Sequence, residues 1–246
     1  MTGFADHTRC AVLSTLFRGR LCEQLAQRPA RRLAIGHSCY LVGDPARSVF
    51  LVRAGLVKTS VLAQSGDELI LRLHKPGEVF GELCFCTGKR HEQAVALEAS
   101  EVVEIPFDDL IGRLRTDAQT LFDFLSIVCD RLAEAYERLQ SMSLDLTEER
   151  LVRTLLKLAD ELGQSAPDGL AIGHYIKQQD LAQIVAARRE VVSTLLNQLR
   201  QRGLVSYHRK GRIRLNPGSL QSHLDDIVAK REGPRDANED HDPNST

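Results

Sequence analysis

The chain has 246 residues and a formal net charge of −1, and 43% of its residues are hydrophobic. This length suffices for two domains, each with its own core. The balanced charge argues against a protein that coats nucleic acid with its whole surface, so any nucleic-acid site has to be a local basic patch. No stretch reaches the ~18 apolar residues of a membrane-spanning helix, and the N-terminus lacks a signal-peptide pattern. We therefore expect a cytoplasmic protein with no membrane partner.

From about residue 33 to residue 106, a glycine or proline interrupts the chain roughly every ten residues. The short apolar runs between these interruptions, such as "SVFLV", "LVKTSVL" and "ELILRLH", are typical of antiparallel strands. This pattern predicts a barrel or β-roll, which we assign to residues 25–112. We assign residues 1–24 to a helical arm that precedes it.

A long helix is predicted after the β domain, because no proline or glycine occurs between Leu121 and Leu146. Its apolar residues alternate at spacings of three and four, which is a heptad seam. The seam consists of Leu121, Leu125, Val128, Leu132, Ala135, Leu139 and Met142, and it continues to Leu146. A helix of ~28 residues would be ~42 Å long, more than a small domain needs. We assign residues 113–146 to a dimerisation helix and expect a homodimer; the alternative is that the seam packs on its own β domain.

The segment from His174 to Arg214 is strongly basic, with nine Lys or Arg and two acidic residues, a local net charge of +7. Two short amphipathic helices meet there at Ala186–Ala187, and a β-hairpin with basic edges follows after Gly203. We assign residues 147–216 to a winged helix-turn-helix domain and residues 217–246 to an acidic, partly disordered tail. The alternative for the basic segment is a protein-interaction domain with a solvated basic face.

Double-stranded DNA is the partner that this arrangement favours. The second helix would enter the major groove, about 12 Å wide, and present its early residues to base edges. Arginine suits the paired acceptors of guanine, and glutamate accepts a hydrogen bond from cytosine. The predicted base-reading residues are Arg189, Glu190, Ser193 and Thr194. The predicted contacts to the DNA backbone are Lys177, Arg188, Arg200, Arg209, Lys210 and Arg212.

The order of these parts resembles the CRP/FNR family of bacterial transcription regulators over roughly residues 10–216. The stretches that carry the resemblance are "PGEVFGEL" and "DLAQIVAARREVVSTLLNQLRQRGLV". The resemblance implies an α+β fold with an N-terminal cyclic-nucleotide-binding-type β-roll, a long dimerisation helix and a C-terminal winged helix-turn-helix. It also implies a homodimer on near-palindromic DNA, and we expect RNA polymerase as a further partner.

The DNA-reading residues match this family only in part. Members that bind cAMP resemble the chain at Arg189 and Glu190, and the oxygen-sensing branch resembles it at Glu190 and Ser193. Both keep an arginine where this chain has Thr194, so we expect an operator that departs from the family's familiar sequences. The usual turn glycine is Ala186, and the usual helix-capping Ser or Thr is Arg188.

The resemblance also locates the effector position. Gly81–Glu82 match the Gly-Glu pair of cAMP-binding members, whereas their Arg-Ser pair falls on Glu92–Gln93 at equal loop length. A carboxylate cannot replace guanidinium against an anionic phosphate. We therefore expect that cAMP is not the effector.

Other readings of this effector position stay open. Glu82, Glu92 and Gln93 could bind a cationic or donor-rich ligand, or phosphates could be held by the basic cluster at residues 89–91. Glu92 could also be a rim or dimer-contact charge. Constitutive DNA binding without any effector is a further alternative.

Metal and redox cofactors have little support in the spacing of the candidate ligands. Cys10, Cys22 and Cys39 lie too far apart for the tight cysteine cluster of iron–sulfur members, and His37, His74 and His91 show no spacing that indicates haem. The residues Cys84 and Cys86 would point the same way in an extended segment, which leaves a redox-sensing regulator as an alternative. Otherwise we expect free thiols.

No enzyme class is indicated, because the chain lacks a Walker loop, a GxSxG motif and an HExxH motif. The other alternative is a cyclic-nucleotide-type regulatory subunit that acts through a protein partner. Such a protein would need the β-roll but would have no reason to carry the basic winged module.

Overall fold

The computed structural model describes residues 28–167, 169–207 and 211–232. The predicted N-terminal arm, 1–24, lies outside these residues. The described chain divides into two compact units. The first contains residues 28–144 and 176–189. The second contains the described residues of 145–175 and 190–232, that is, without 168 and 208–210.

Two four-stranded antiparallel sheets form the β-roll of the first unit, in the orders β1-β8-β3-β6 and β2-β7-β4-β5. The strands are β1 (Ala30–Leu33), β2 (Ser38–Tyr40), β3 (Ser48–Ala54), β4 (Val57–Leu62), β5 (Glu68–His74), β6 (Val79–Phe80), β7 (Gln93–Ala96) and β8 (Ser100–Pro106). A 3₁₀ turn, Glu82–Cys84, follows β6. The predicted β-roll is therefore confirmed.

The roll is held together by apolar residues from both sheets. Tyr40, Phe50 and Phe80 form a buried aromatic group whose ring centroids lie 5.4–6.1 Å apart. Offset aromatic pairs at such distances stabilise a core beyond their buried area. A second cluster, which includes Val49, Leu51 and Ile105, packs with the first helix of the unit.

Two helices follow the roll: α1 (Phe107–Thr116) and α2 (Ala118–Leu144). Asp117 separates them and begins α2, because its carboxylate accepts hydrogen bonds from Gln119 N at 3.0 Å and Thr120 Oγ1 at 2.6 Å. The predicted long helix is thus present, but residues 113–116 belong to α1. Side-chain capping of the first backbone N–H groups explains this start.

Helix α2 has two chemically different sides. Thr120, Asp123 and Ile127 are buried. The predicted seam is on the other side and stays open to solvent in the single chain: Leu132 is 54% and Leu139 61% exposed. The seam does not pack on the chain's own β domain, which removes that alternative.

The second unit begins with α3 (Thr147–Leu162) and contains the antiparallel sheet β11-β12-β10-β9. Its strands are β9 (Gly163–Ala166), β10 (Gly169–Ile172), β11 (Val205–Ser206) and β12 (Arg214–Leu215). The wing is therefore larger than the predicted hairpin, because the polar stretch after Gly163 pairs as a second hairpin.

The helix-turn-helix consists of α4 (Gln178–Val185) and α5 (Arg189–Gln201). By its contacts, α4 belongs to the first unit, where it packs against β5.

The segment predicted as a tail is helical in its first half, α6 (Pro217–Glu232), which packs on α3 within the second unit. Leu220 and Leu224 are buried, and Arg231 forms ion pairs with Asp145 and Glu149. The second unit therefore continues past the boundary predicted at residue 216 and includes α6.

Candidate functional site

The second helix of the helix-turn-helix, α5, has one buried and one open side. Val192, Leu196 and Leu199 are buried at spacings of four and three, as expected for a helix that packs through one face. Of the predicted base-reading residues, Arg189, Glu190 and Thr194 are exposed and Ser193 is half-buried. The first two turns of α5 thus present polar side chains to solvent.

Asn197 is a polar residue that sequence reasoning missed. It lies one turn after Thr194 and is half-buried. Its Oδ1 accepts a hydrogen bond from the hydroxyl of Tyr207 at 3.0 Å. The Tyr207 ring also lies 5.2 Å from the guanidinium carbon of Arg200. The signal available in the sequence was helical spacing, because Asn197 follows Glu190 by seven residues, or two turns.

The predicted backbone contacts that the structure describes are exposed and basic. They are Lys177, Arg188, Arg200 and Arg212; Arg209 and Lys210 lie outside the described residues. Arg212 donates a hydrogen bond to Gln164 Oε1 at 3.0 Å. Both residues line an open groove of about 380 Å³ on the wing sheet, which also contains Arg214. The missed hairpin therefore adds polar groups beside the basic wing.

The turn between the two helices requires an unusual backbone conformation. Ala186 has a φ of 54° and is the only non-glycine residue with positive φ in the described part of the chain. Its amide hydrogen-bonds Ala182 O, and that of Ala187 hydrogen-bonds the same carbonyl at 3.0 Å. An L-residue with a Cβ is strained in this region, which glycine enters freely. The replacement of the family's usual glycine thus has a structural cost but leaves the turn intact.

The effector position inside the β-roll is filled by the chain's own side chains. Gly81 has a φ of 83°, and a Cβ there would lie 2.7 Å from Nη1 of Arg90. The buried guanidinium of Arg90 donates to Gly81 O at 2.9 Å and Ser48 O at 2.6 Å. It also lies 4.1 Å from the centroid of the Tyr40 ring. Glycine at position 81 is needed for both the turn and this close approach.

The two glutamates predicted for the effector site lie near one another and are buried. Glu82 Oε1 accepts a hydrogen bond from Arg131 Nε of α2 at 3.1 Å, and Glu92 Oε1 accepts one from the Tyr40 hydroxyl at 3.0 Å. Burial raises the pKa of Glu92 to about 7, and the Glu82 charge adds to this rise, against the Tyr40 hydrogen bond and the charges of Arg131 and Arg90.

These residues do not fit the cyclic phosphate that the resemblance would imply. Two Arg90 nitrogens, Nη1 and Nη2, already donate to backbone carbonyls, and Glu92 brings a carboxylate. An anionic phosphate would meet repulsion there instead of a bidentate donor. The third predicted residue, Gln93, makes its side-chain hydrogen bonds elsewhere, to Ser60 and Glu68.

The cysteine environments disfavour the redox alternative. Cys84 ends the 3₁₀ turn and is fully buried, whereas Cys86 is exposed. The expectation that an extended segment points both sulfurs the same way is therefore wrong, because the backbone there is helical and turned. Among the described residues, no group of three or more His, Cys, Asp or Glu side chains is arranged to hold a metal ion. None of the helices described is long and apolar enough to span a bilayer.

Comparisons with known proteins agree with this architecture. Residues 30–117 match the cyclic nucleotide-binding domain model, and residues 149–222 match the Crp-like helix-turn-helix domain model. The chain is 29% identical to the global nitrogen regulator of Synechococcus elongatus, over 86% of this chain and 96% of that protein. It is 28% identical to the anaerobic regulatory protein of Bacillus subtilis, over 82% and 87%.

Solved structures share the fold. The structure of FixK2 from Bradyrhizobium japonicum covers 79% of this chain and 96% of its own, with a TM-score of 0.70 and 22% identity. The c-di-GMP responsive regulator CLP of Xanthomonas campestris covers 83% and 99%, with a TM-score of 0.68 and 24% identity. At these identities the likeness concerns the fold alone. The two family matches and the related regulators that align with most of this chain show that it belongs to the CRP/FNR family of DNA-binding transcription regulators.

Proposed function

We propose that this regulator binds near-palindromic duplex DNA as a homodimer and reads it with the first turns of α5. The observation that carries the proposal is the pattern on that helix: its apolar residues are buried, while Arg189, Glu190 and Thr194 are exposed at its start. Exposed polar groups at the beginning of a recognition helix are the ones that reach base edges. Lys177, Arg188, Arg200 and Arg212 would neutralise phosphates around it.

The homodimer would form through the open side of α2. The seam residues Leu121, Leu125, Val128, Leu132 and Leu139 are exposed in the single chain. Phe122 and Tyr136, 65% and 64% exposed, lie next to this seam at heptad spacing from each other and widen it. A contiguous apolar stripe of this length is typical of a surface that another chain covers. A parallel pairing makes the dimer twofold symmetric, so that it has one copy of α5 for each half-site of a palindromic operator.

Control by cAMP is not part of this proposal, because Arg90 Nη1 and Nη2 already donate to backbone carbonyls and Glu92 places a carboxyl group where a cyclic phosphate would need a donor. If an effector acts on the β-roll, it does so by shifting the population of DNA-competent dimers.

We propose RNA polymerase as a further partner of the DNA-bound dimer and the cytoplasm as its compartment. No catalytic activity is assigned to the chain.

One experiment tests both halves of the proposal. The purified chain is titrated into a fluorescent duplex that carries its operator, and the complex is sized by sedimentation. We expect two chains per duplex and a binding constant that falls steeply with salt, because released counterions drive phosphate contacts. Added cAMP is expected to leave the curve unchanged. One chain per duplex, or no preference for the operator over random DNA, would contradict the proposal.

A further inference from the structure

Lys58 of strand β4 is buried and contacts two carboxylates from different elements. Its Nζ lies 3.0 Å from Glu68 Oε2 on β5 and 3.3 Å from Asp180 Oδ1 on α4. It also donates to Gln183 Oε1 of α4 at 3.3 Å. The lysine side chain is only 10% exposed. A buried charge needs partners, and α4 supplies two of the three that contact Lys58.

The contact to Asp180 lies at the beginning of α4. The other oxygen of this carboxylate, Oδ2, accepts from the backbone N of Lys177 at 3.3 Å, which caps the helix. The far end of α4 is held as well, because Arg138 of α2 donates to Ile184 O at 2.8 Å and to Leu71 O at 2.9 Å. Both ends of this short helix are therefore bound by side chains of the first unit.

A continuous hydrogen-bonded path connects Lys58 to the start of β7. Gln93 Nε2 donates to Ser60 Oγ at 3.2 Å and to Glu68 Oε1 at 3.3 Å. Ser60 Oγ donates to the same glutamate oxygen at 2.6 Å. The sheet explains this alignment: Ser60 is paired with Gln93 across β4 and β7, and Lys58 lies two residues along the same strand.

Glu68 is the central member of this path. Burial alone would raise its pKa, but hydrogen bonds from Ser60, Lys58 and Gln93, with the Lys58 charge, leave it lowered. One oxygen of the ionised carboxylate accepts from Gln93 and Ser60, and the other contacts Lys58. Hydrogen-bonded chains in a partly buried setting polarise one another, so a change at one end alters the other.

We propose that Lys58 is the positioning residue of α4, and that the path Gln93–Ser60–Glu68–Lys58–Asp180 couples the β7 end of the roll to the DNA-binding module. The proposal rests on the DNA-binding function proposed above and concerns its regulation. A ligand group that engages the Gln93 amide would remove one hydrogen-bond donor from Glu68 Oε1. Glu68 would then be held less firmly against Lys58, and Lys58 less firmly against Asp180. The DNA affinity would then respond to a group that does not contact DNA.

The test is a double-mutant cycle on DNA affinity in the full chain. Gln93→Met, which keeps length but removes the amide donor, is measured in the wild type and in a Lys58→Met background. We expect Gln93→Met to change the operator Kd by about five-fold or more in the wild type and by less than about two-fold without Lys58. The same factor in both backgrounds would overturn the coupling.

Further variants keep the test informative if Lys58→Met does not fold. Asp180→Asn keeps an oxygen for the helix cap but weakens the Lys58 contact, and it replaces Lys58→Met if that variant is unfolded. Lys58→Arg retains the charge and is expected to restore the response. Gln64→Met, at an exposed residue of the β4–β5 turn, is the matched control and is expected to leave the Kd unchanged.

Hydrogen exchange gives a second readout that needs no DNA. Gln93→Met is expected to speed amide exchange in α4 (178–185) but not in α3 (147–162), because only α4 is held by this path. Unchanged exchange in α4 would overturn the proposal. A wild-type chain that prefers no duplex would instead contradict the DNA-binding function, and exchange would still decide on the coupling.

Discussion

The hydroxyl of Tyr207 donates a hydrogen bond to Oδ1 of Asn197, with 3.0 Å between the oxygens. This bond occupies the amide oxygen, so the Nδ2 group supplies the donors of this half-buried side chain. Amide donors suit the acceptors on purine edges. We expect Asn197→Ala to cost ~1–3 kcal/mol of operator affinity and to relax the preference at one base pair. Selection of bound duplexes from a randomised pool measures both.

Two further variants separate this reading from a structural role of Asn197. Asn197→Asp replaces the donors with a carboxylate of the same shape and is expected to bind the operator more weakly than the alanine variant. Gln198→Ala, at the next and exposed position of α5, is the control. An unchanged base preference in Asn197→Ala, with only a lower melting temperature, would count against base reading.

Arg189 and Arg212 are expected to contribute differently to DNA affinity. Arg189→Ala should cost ~1–3 kcal/mol on the operator and relax one base pair, because it removes a base contact. Arg212→Ala should weaken binding to all sequences alike and lower the salt slope by about one, because it removes a phosphate contact. Titrations with operator and random duplexes at several salt concentrations measure both effects. Equal losses on both duplexes for both variants would contradict this division.

The left-handed backbone conformation of Ala186 leads us to expect that glycine at this position increases the stability of the fold. Ala186→Gly should raise the free energy of unfolding by about 1 kcal/mol, because glycine adopts this conformation without the strain of a Cβ. Urea unfolding followed by circular dichroism measures it. Ala187→Gly, at a position without positive φ, is the control and should lower stability. A loss of stability in both variants would show that the turn at Ala186 is not strained.

If the seam on α2 forms the dimer interface, a charged residue introduced into it should weaken the dimer. Leu132→Glu places two carboxylates close together at the proposed interface, so we expect it to shift the chain to monomers and to weaken operator binding. Gln140→Glu adds the same charge at an exposed position outside the seam and should leave the dimer intact. Analytical ultracentrifugation distinguishes the two, and a Leu132→Glu dimer of wild-type affinity would rule out this interface.

The buried carboxyl of Glu92 predicts a pH dependence of stability. Its pKa rises from an ordinary 4.5 to about 7 in the folded chain, so the folded state binds the proton more tightly than the unfolded state between these values. Its contribution to stability is therefore greatest below about pH 4.5 and is lost as the pH rises through 7. The loss amounts to about 3 kcal/mol.

The variant Glu92→Gln keeps an acceptor for Tyr40 and cannot ionise. Its stability relative to the wild type should grow as the pH rises from about 5 to 8, which urea unfolding at several pH values measures. Glu137→Gln, at an exposed position of α2, should show no such trend. A constant difference between Glu92→Gln and the wild type would mean that this carboxyl titrates normally.

The elements with a strong local pattern could be predicted from sequence. The β3, β4 and β5 strands are short apolar runs between turn signals, whereas the seam of α2 and the apolar face of α5 follow spacings of three and four residues. Helix α6 and the β9–β10 hairpin were missed because their signals are weak: α6 mixes charged and polar residues with only a few apolar ones, and "QSAPDG" resembles a linker. Both elements form because they pack on neighbouring elements, and a local sequence pattern carries no information about such packing.

In the candidate site, too, some features could be predicted from the sequence and others could not. Exposure of Arg189, Glu190 and Thr194 follows from their place on an amphipathic helix. The contacts of Arg90 with Gly81 O, and of Lys58 with Asp180, join residues 9 and 122 positions apart. Such contacts depend on how strands and helices meet, so spacing in the sequence could not reveal them.

Paired reading of DNA by two copies of α5 is tested by selection of bound duplexes from a fully randomised pool with the wild-type chain. We expect one enriched motif made of two inverted half-sites, with centres about 10–10.5 base pairs apart, as two copies of α5 on a twofold axis require. A pool without an enriched motif, or a motif with a single unrepeated half-site, would contradict it.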